Sequence, residues 1–356
     1  MKSIHQVTAG LSLGDAVTNE ALALRAAFRS WGCASEIFSV PAHIHPALKP
    51  LARDARECAA AVGPDDVAVL HLSIGSDAND LFAALPCRKA IIYHNITPAA
   101  YFEGFLDEVA EPLRRGREQA AALRGVADVV IAVSEFNARE LRGLGYPNVG
   151  VVPLFLDLAK VRDPVDRATV RRYRDGHVNV LFVGRCVPNK RIEDALQAFY
   201  YFQKFVKPES RFLHAGSFVG LERYHALLLA MARDLDLERV EFAGAVRQPQ
   251  LNALYRAADL FLGMSEHEGF CIPLIESMVH DVPVLAYAAG EVPETLEGSG
   301  VLFREKRFDV VAEMMGRLTG EPAFRDAVLR GQRERLARFE ATDVAAALRR
   351  RLEPLL

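Results

Sequence analysis

The sequence predicts an α/β protein with two domains, each a doubly wound parallel sheet covered by helices. The chain has 356 residues, which is long for one domain and sufficient for two. In both halves, apolar strand-like runs alternate with amphipathic helical stretches, the order that βαβ units require. A polar stretch without apolar periodicity separates the two series. We therefore predict a first domain over residues 1–157, a linker over 158–177, a second domain over 178–340 and a final helix over 341–356.

Composition and charge argue against several classes of protein. The formal net charge of -3 gives no support for a nucleic-acid binder, which usually carries a basic surface. The five cysteines are scattered and form no C-x-x-C pair, as in reduced, cytosolic proteins. The first residues lack the apolar core of a signal peptide, and no run approaches membrane-spanning length. We expect a cytoplasmic protein whose only membrane contact would be peripheral, on the inner face.

The first domain opens with the strand Ile4–Val7, a glycine-containing loop and the helix Thr18–Trp31. In a βαβ unit this loop lies at the carboxyl edge of the sheet, where ligands bind. Gly14 would allow a ligand close to the backbone, and Asp15 either faces a ligand or caps the helix. The glycines match neither the dinucleotide fingerprint nor the P-loop pattern.

Two later features of the first domain are candidates for function. The apolar run Ala90–Tyr93 predicts a buried strand, and His94 follows at its carboxyl end. A lone histidine is more often structural, but a position at the tip of a strand favours a site. Arg114–Arg117 is a basic cluster on a helix. It could contact an anionic lipid surface, although a solvated helix face is the commoner meaning of such a short cluster.

The second domain opens with an apolar strand from Val178, followed by Gly184 and the loop that contains Arg185 and Lys190. Two cations at a strand-to-helix junction suit a diphosphate, with arginine as a fork and lysine as a point charge. The alternative is a pair of solvated loop cations. In Asp234-Leu-Asp236 the carboxylates lie late in a helical stretch, so we expect them to be solvent-exposed surface residues and not metal ligands.

The stretch Met264–Met278 predicts a loop that feeds a helix, with Pro273 near the first helical position. Such a turn offers unpaired N–H groups and the positive end of the helix dipole to an anion. Glu268 and Glu276 bracket the turn, and a carboxylate can accept from two neighbouring sugar hydroxyls. The segment thus predicts an anion site between two diol binders. The alternative is a buried strand, loop and helix with two solvent-facing glutamates.

Four motifs together resemble a known family. E-G-F-C-I-P-L-I-E at residues 268–276 resembles the E-x7-E signature of retaining GT-B glycosyltransferases of glycosyltransferase family 4, with Cys271 where glycine is usual. The motifs G-R-x-x-x-x-K at 184–190, V-E-F-A-G-A-V at 240–246 and G-E-V-P-E at 290–294 follow in the family's order. The resemblance implies a GT-B fold: two Rossmann-like domains that face each other across a cleft, with a last helix that crosses back to the first domain.

The resemblance also implies roles for individual residues. Glu268 would bind the hydroxyls of the donor sugar, Glu276 the ribose, and Val246 lies in the loop that holds the nucleobase. The implied catalytic residues are Glu268, His94, Arg185 and Lys190. The implied donor-binding residues are Gly14, Arg185, Lys190, Val246, Gly269, Phe270, Cys271, Ile272 and Glu276. Asp15 is the candidate for the acceptor side.

The expected function is the transfer of a hexose from a nucleotide-diphosphate sugar to a hydroxyl of a glycan or lipid-linked acceptor in cell-surface polysaccharide synthesis. GDP-mannose is favoured, and a UDP-sugar comes next. No metal-ligand spacing occurs in the sequence, so we expect no cofactor and a same-face reaction in which the leaving phosphate takes the acceptor's proton. The alternatives are a sugar phosphorylase or nucleotide-sugar epimerase on the same scaffold, and a non-catalytic nucleotide-sugar binding protein.

Overall fold

The computed structural model describes residues 2–356, which divide into two α/β units. Unit 1 runs up to Leu156 and also includes Asp343–Leu356, whereas unit 2 comprises Asp157–Thr342. Each unit is built on one parallel sheet, with seven strands in unit 1 and six in unit 2. The two parallel sheets predicted from the sequence are therefore confirmed.

The sheet of unit 1 has the order β3-β2-β1-β4-β5-β6-β7. Its strands are β1 Ile4–Thr8, β2 Ile37–Ser39, β3 Arg53–Asp54, β4 Val67–Leu72, β5 Arg88–Tyr93, β6 Val129–Ala132 and β7 Gly150–Val151. β4 lies in the middle of the sheet and all six of its residues are buried, as its continuous apolar run predicts. The strand order reverses direction between β1 and β4, so the loops after these strands diverge there and leave a crevice at the carboxyl edge.

Helices cover the sheet of unit 1, and several of them begin at a side chain that caps the first turn. They are α1 Ala16–Ser30, α2 Cys58–Ala61, α3 Asp77–Ala83, α4 Asp107–Ala122 and α5 Glu135–Gly143. Asp15 accepts from the Thr18 backbone N–H at 2.9 Å, and Ser134 accepts in the same way from Asn137 at 3.2 Å. α1 therefore starts two residues before the predicted Thr18, because Asp15 is its cap.

The sheet of unit 2 has the order β10-β9-β8-β11-β12-β13. Its strands are β8 Val178–Val183, β9 Ser210–Ala215, β10 Val240–Phe242, β11 Leu260–Gly263, β12 Val284–Tyr287 and β13 Val301–Phe303. Here the order reverses between β8 and β11. Ligands of such sheets bind outside the carboxyl ends of the strands at that reversal. The loops that the sequence singles out, after β8 and after β11, are the two that meet there.

Nine helices of unit 2 complete its layers. They are α6 Leu158–Arg162, α7 Arg167–Tyr173, α8 Ile192–Tyr201, α9 Glu222–Asp234, α10 Gln248–Ala257, α11 Ile272–Val279, α12 Val292–Leu296, α13 Phe308–Gly320 and α14 Pro322–Glu340. The end of α8 is followed directly by a different helical form, since Phe202–Val206 is a π-helical turn. That turn packs against α13, where Val206 meets Gly316.

The segment 158–177 differs from the predicted linker, because it belongs to unit 2 and forms α6 and α7. Each of these short helices buries one apolar side chain, Val161 in α6 and Tyr173 in α7. Asn252 of α10 also donates to the carbonyls of Lys160 and Pro164, at 3.0 Å each. Helices of five and seven residues are too short to show a helical apolar period, so the sequence looked like a linker.

The last helix, α15 Val344–Leu352, belongs to unit 1, as the resemblance implies. Leu348 and Leu352 are fully buried there, and the Arg349 guanidinium lies 5.7 Å from the centre of the Trp31 ring. Burial of this apolar stripe explains why α15 returns to the first unit while α14 belongs to the second. Across residues 2–356, no helix combines the length and the apolar character needed to cross a membrane.

Candidate functional site

Three loops of unit 2 are joined by hydrogen bonds at the carboxyl edge of its sheet. Between the loop after β8 and the loop after β11, the Glu266 N–H donates to the Asn189 carbonyl at 2.9 Å and the Asn189 side chain donates to the His267 carbonyl at 3.2 Å. From the loop after β12, the Glu291 N–H donates to the Glu268 carbonyl at 3.0 Å. These bonds fix the backbone on both sides of the residues that the sequence predicts to bind a donor.

Lys190 and Glu268, both predicted site residues, form a direct ion pair in this structure. The Lys190 Nζ lies 2.5 Å from the Glu268 Oε1, and Glu268 is only 7% exposed. Burial alone would lower the pKa of Lys190, but the Glu268 carboxylate outweighs it and the pKa is raised. The lysine is therefore a cation whose charge the Glu268 carboxylate neutralises.

The start of α11 presents backbone N–H groups beside this pair. Among residues 2–356, no acceptor takes the N–H groups of Gly269, Phe270, Cys271 or Ile272. The Thr295 hydroxyl holds the turn by donating to the Phe270 carbonyl at 2.6 Å. Unpaired N–H groups at a helix start can bind phosphate oxygens. We call the N–H groups of residues 269–272 the N–H cradle.

Cys271 departs from the glycine that is usual in the motif. Its φ is 69°, in the left-handed region that favours glycine, so the backbone keeps the conformation of the motif despite the side chain. Burial and the neighbouring Glu268 charge raise the pKa of Cys271 well above its ordinary value, so the thiol stays protonated. Cys271 thus places a protonated thiol beside the Glu268 carboxylate.

Arg185 stands at the same loop with its side chain exposed. Within residues 2–356 it has no carboxylate at ion-pair distance. Its loop is shaped by a close approach of two backbones, since a Cβ on Gly216 would stand 1.7 Å from the Gly184 carbonyl oxygen. An exposed guanidinium beside Lys190 is free to bind an anion at the N–H cradle.

Glu276 lies in α11 and is 9% exposed. The Tyr255 hydroxyl of α10 donates to its Oε2 at 2.8 Å, and the His280 ring stacks on Tyr255 with centroids 5.4 Å apart. Burial raises the pKa of Glu276 to about 7, although the Tyr255 hydrogen bond acts in the opposite direction. Val246 lies just before α10, at the same edge of the sheet. Tyr255 was not predicted as a site residue, because no local sequence motif indicates that a side chain of one helix will bind a side chain of another.

A cluster of four charged side chains holds the loop after β11 in addition to the Lys190–Glu268 pair. The Lys306 Nζ lies 2.6 Å from both Asp194 Oδ2 and Glu266 Oε1. Arg191 reaches the same two carboxylates at 3.1 and 3.3 Å. These four side chains connect the start of α8 to Glu266, two residues before Glu268. Sequence reasoning missed the cluster, since Lys306 lies far along the chain and in no motif.

In unit 1 the predicted residues take different positions. Gly14 is exposed with φ 73°, and a Cβ there would meet nothing within 4 Å, so the backbone is open to approach. Asp15 caps α1, the alternative that the sequence left open. The His94 side chain is only 4% exposed, with Nε2 2.9 Å from His71 Nδ1 and Nδ1 3.4 Å from Glu20 Oε2. Burial first, and His71 second, lower the pKa of His94 well below its ordinary value, so the ring is neutral.

The basic cluster of α4 is neutralised within unit 1. Arg114 pairs with Glu103 at 3.0 Å and Glu111 at 2.8 Å. Arg115 pairs with Asp77 at 2.6 Å and Asp80 at 2.8 Å, and Arg117 pairs with Glu140 at 2.8 Å. This pairing favours the solvated helix face over the lipid-binding surface.

The described chain offers no cluster of metal ligands. Among residues 2–356, no three His, Cys, Asp or Glu side chains are grouped so that they could hold a metal ion. His45 instead accepts from the Ala47 N–H at 3.2 Å, and Asp234 ends α9 at the surface. All five cysteines are free thiols.

The position of Gly290 predicts a stability effect that reports on the Glu268 loop. A Cβ on Gly290 would stand 2.5 Å from the Glu268 carbonyl oxygen, and φ is +57°. We expect Gly290→Ala to destabilise the protein by about 2–4 kcal/mol, from left-handed strain plus the backbone clash. Gly298→Ala is the matched control, because φ is +80° and nothing lies within 4 Å of its Cβ. Urea unfolding of both variants tests this, and equal losses would contradict the close approach.

The family match to known proteins falls within unit 2. Residues 171–334 match the sequence profile of the family Glycosyl transferases group 1. The chain is 32% identical to a D-inositol 3-phosphate glycosyltransferase of Nocardia farcinica over 63% of this chain and 51% of that protein. It is 24% identical to a GDP-mannose-dependent monoacylated alpha-(1-6)-phosphatidylinositol monomannoside mannosyltransferase of Corynebacterium glutamicum, over 62% and 61%. The chain thus spans about half to three fifths of these relatives' lengths.

Solved structures extend the likeness to the whole chain. HepE of Anabaena, in complex with UDP and glucose, matches with a TM-score of 0.75 at 16% identity, over 100% of this chain and 99% of that one. Sucrose-phosphate synthase of Thermosynechococcus elongatus matches with a TM-score of 0.74 at 20% identity, over 100% and 99%. Residues 171–334 therefore match the group 1 glycosyl transferases, and the chain as a whole has the GT-B fold.

Proposed function

We propose that this protein is a retaining glycosyltransferase that moves a hexose from a nucleotide-diphosphate sugar to a hydroxyl of a glycan or lipid-linked acceptor. The observation that carries the proposal is the ion pair of Lys190 and Glu268 beside the N–H cradle. This arrangement combines a cation for a diphosphate, a carboxylate for sugar hydroxyls and unpaired N–H groups for phosphate oxygens. Glu276 and Val246, at the same edge of unit 2, are proposed to hold the ribose and the base.

The reaction would need the protein to stabilise the leaving group. The bond between the sugar C1 and the phosphate oxygen breaks, a bond from C1 to the acceptor oxygen forms on the same face, and the acceptor proton passes to the leaving phosphate. Negative charge develops on that phosphate, and preorganised cations and N–H groups stabilise it most. Lys190, Arg185 and the N–H cradle are proposed for this role. We propose that no metal ion takes part.

The sugar donor is proposed to be GDP-mannose. The Corynebacterium glutamicum relative carries GDP-mannose dependence in its name, and an O-antigen chain mannosyltransferase B of Escherichia coli is 26% identical over 52% of this chain. The latter also supports a role in cell-surface polysaccharide synthesis. A UDP-sugar comes second, because UDP and glucose are bound in HepE, which shares the fold at lower identity.

A pH dependence of nucleotide binding follows from the proposed role of Glu276. The ribose hydroxyls need an ionised acceptor, and the pKa of Glu276 is about 7. Protonation at low pH therefore opposes binding, and we expect the affinity for the nucleoside diphosphate to rise about tenfold from pH 6 to pH 8. Titration calorimetry across this range tests the slope. Glu276→Gln is the control for titration of the diphosphate itself, and an unchanged slope in that variant would contradict the role.

The proposed reaction is tested by incubating the purified protein in EDTA with GDP-mannose, UDP-glucose and UDP-N-acetylglucosamine, each with polyprenyl diphosphate-linked glycans and with free oligosaccharides. We expect one donor to release its nucleoside diphosphate only with an acceptor, and the product to keep the donor's α anomer by NMR. A β product would contradict retention. Donor conversion without acceptor would support an epimerase, and a lack of release from every donor would support a binding protein.

A further inference from the structure

Four polar side chains of unit 1, all buried, form a continuous chain of contacts near the crevice between β1 and β4. Gln6 of β1, His71 of β4 and Glu20 of α1 join His94, which follows β5. Gln6 and His71 are fully buried, and Glu20 is 3% exposed. The successive distances are 2.8 Å from Gln6 Oε1 to His71 Nε2, 2.9 Å from His71 Nδ1 to His94 Nε2, and 3.4 Å from His94 Nδ1 to Glu20 Oε2.

The orientation of the Gln6 side chain determines which atom donates and which accepts in each hydrogen bond along this line. The Gln6 side-chain N–H donates to the Ala21 carbonyl at 3.0 Å, so its other atom, Oε1, faces His71 as an acceptor. His71 must then carry its proton on Nε2. The His71 Nδ1 is left as an acceptor and takes the Nε2–H of His94. A neutral His94 therefore turns the lone pair of Nδ1 toward Glu20.

The contact between His94 Nδ1 and Glu20 Oε2 is favourable only if one of these two atoms carries a proton. The Oε2 of Glu20 is buried and has no hydrogen-bond partner among residues 2–356. A lone pair and a carboxylate would repel each other, so the carboxyl is protonated or the imidazole is charged. Burial raises the pKa of Glu20 to about 8, and it lowers the pKa values of His71, to about 3, and of His94. All of these shifts favour the proton on Glu20.

We propose that Glu20 is a positioning residue for His94, which donates a hydrogen bond to Nδ1 and so fixes the ring orientation and keeps the imidazole neutral. This inference rests on the proposed function in one respect, namely that His94 is one of the catalytic residues that the resemblance implies. A buried acid that supplies the last proton holds the ring neutral without leaving a charge in the interior of unit 1.

The chemistry of the line distinguishes two variants of nearly equal size. Glu20→Gln keeps an N–H donor for His94 Nδ1, so we expect kcat for sugar transfer to stay within about threefold of the wild type. Glu20→Leu removes the donor and leaves a buried lone pair unpaired. For this variant we expect kcat to fall about 10- to 100-fold with little change in the donor KM. A loss in Glu20→Gln as large as in Glu20→Leu would overturn the proposal, since it would require an ionised carboxylate.

A spectroscopic measurement tests the same proton without any assay of activity. Long-range ¹H–¹⁵N correlation on the full chain with labelled histidine reports which ring nitrogen carries hydrogen. We expect both His71 and His94 as neutral Nε2–H tautomers at pH 7, in the wild type and in Glu20→Gln. A cationic His94, or its Nδ1–H tautomer, would overturn the proposal. If the spectra agree but neither variant has transferase activity to lose, the proposed function fails while the line of hydrogen bonds stands.

Discussion

Replacing Lys190 with methionine is expected to lower kcat for sugar transfer by about 10²–10³-fold, the size of effect seen when one charge-stabilising donor is removed. Lys190 is the cation at the N–H cradle; its side chain is 15% exposed, and its charge is secured by the Glu268 carboxylate at 2.5 Å. Methionine keeps the length of the side chain without the charge. Steady-state kinetics with the preferred donor measure the loss, and circular dichroism confirms that the variant is folded at the assay temperature.

The control for this variant must separate charge at the site from stability, because removal of one partner from a buried pair costs about 3–5 kcal/mol. Lys306→Met removes a lysine of similar exposure from the same unit, 16% against 15% for the Lys190 side chain. Lys306 also lies in an ion cluster, at 2.6 Å from two carboxylates. Equal losses of kcat in the two variants would show that stability, and not charge at the leaving phosphate, is affected.

The two glutamates of the motif are expected to divide binding and turnover between them. Glu268→Gln should lower kcat by about 10- to 100-fold, because a charged acceptor for the sugar hydroxyls is lost. Glu276→Gln should raise the apparent dissociation constant of the nucleoside diphosphate by about tenfold and leave kcat nearly unchanged. Both residues are buried in unit 2, so the two substitutions are matched in size and in environment.

This division is measured with donor-saturation kinetics and calorimetric titration of the nucleoside diphosphate. The Tyr255 hydroxyl can still donate to the amide oxygen in Glu276→Gln, so α11 should keep its place. Loss of donor affinity with unchanged kcat in both variants would contradict a role of Glu268 in holding the reacting sugar. Loss of kcat in both, with unchanged affinity, would contradict the assignment of Glu276 to the ribose.

Local patterns in the sequence predicted much of the site. The apolar runs predicted β5 and β8, because strands buried on both faces need continuous apolar sequence. The loops after β8 and β11 could be placed together, since parallel strands end at one edge of the sheet. The motif usually has glycine where this chain has Cys271, and the φ of 69° at Cys271 lies in the region that glycine favours.

Tertiary contacts could not be predicted in the same way. The partners Lys190 and Glu268 are separated by 78 residues, and nothing local states that their side chains meet. His94 was predicted as a site residue, but Glu20 lies in a helix whose apolar pattern gives no sign of a buried acid. The helix α7 was taken for linker because only Tyr173 of its seven residues is buried. In each case the role of the residue depends on a tertiary contact, which the local sequence of its segment does not predict.

The central claim, that the loops of unit 2 form a site for a nucleoside diphosphate, is tested most directly by calorimetric titration of the wild-type protein with GDP and UDP in EDTA and in Mg²⁺. We expect one nucleotide to bind with one site per chain, with equal affinity in the two buffers, because Arg185, Lys190 and the N–H cradle supply the positive groups. A failure of both nucleotides to bind in either buffer, or binding only with Mg²⁺, would contradict this account.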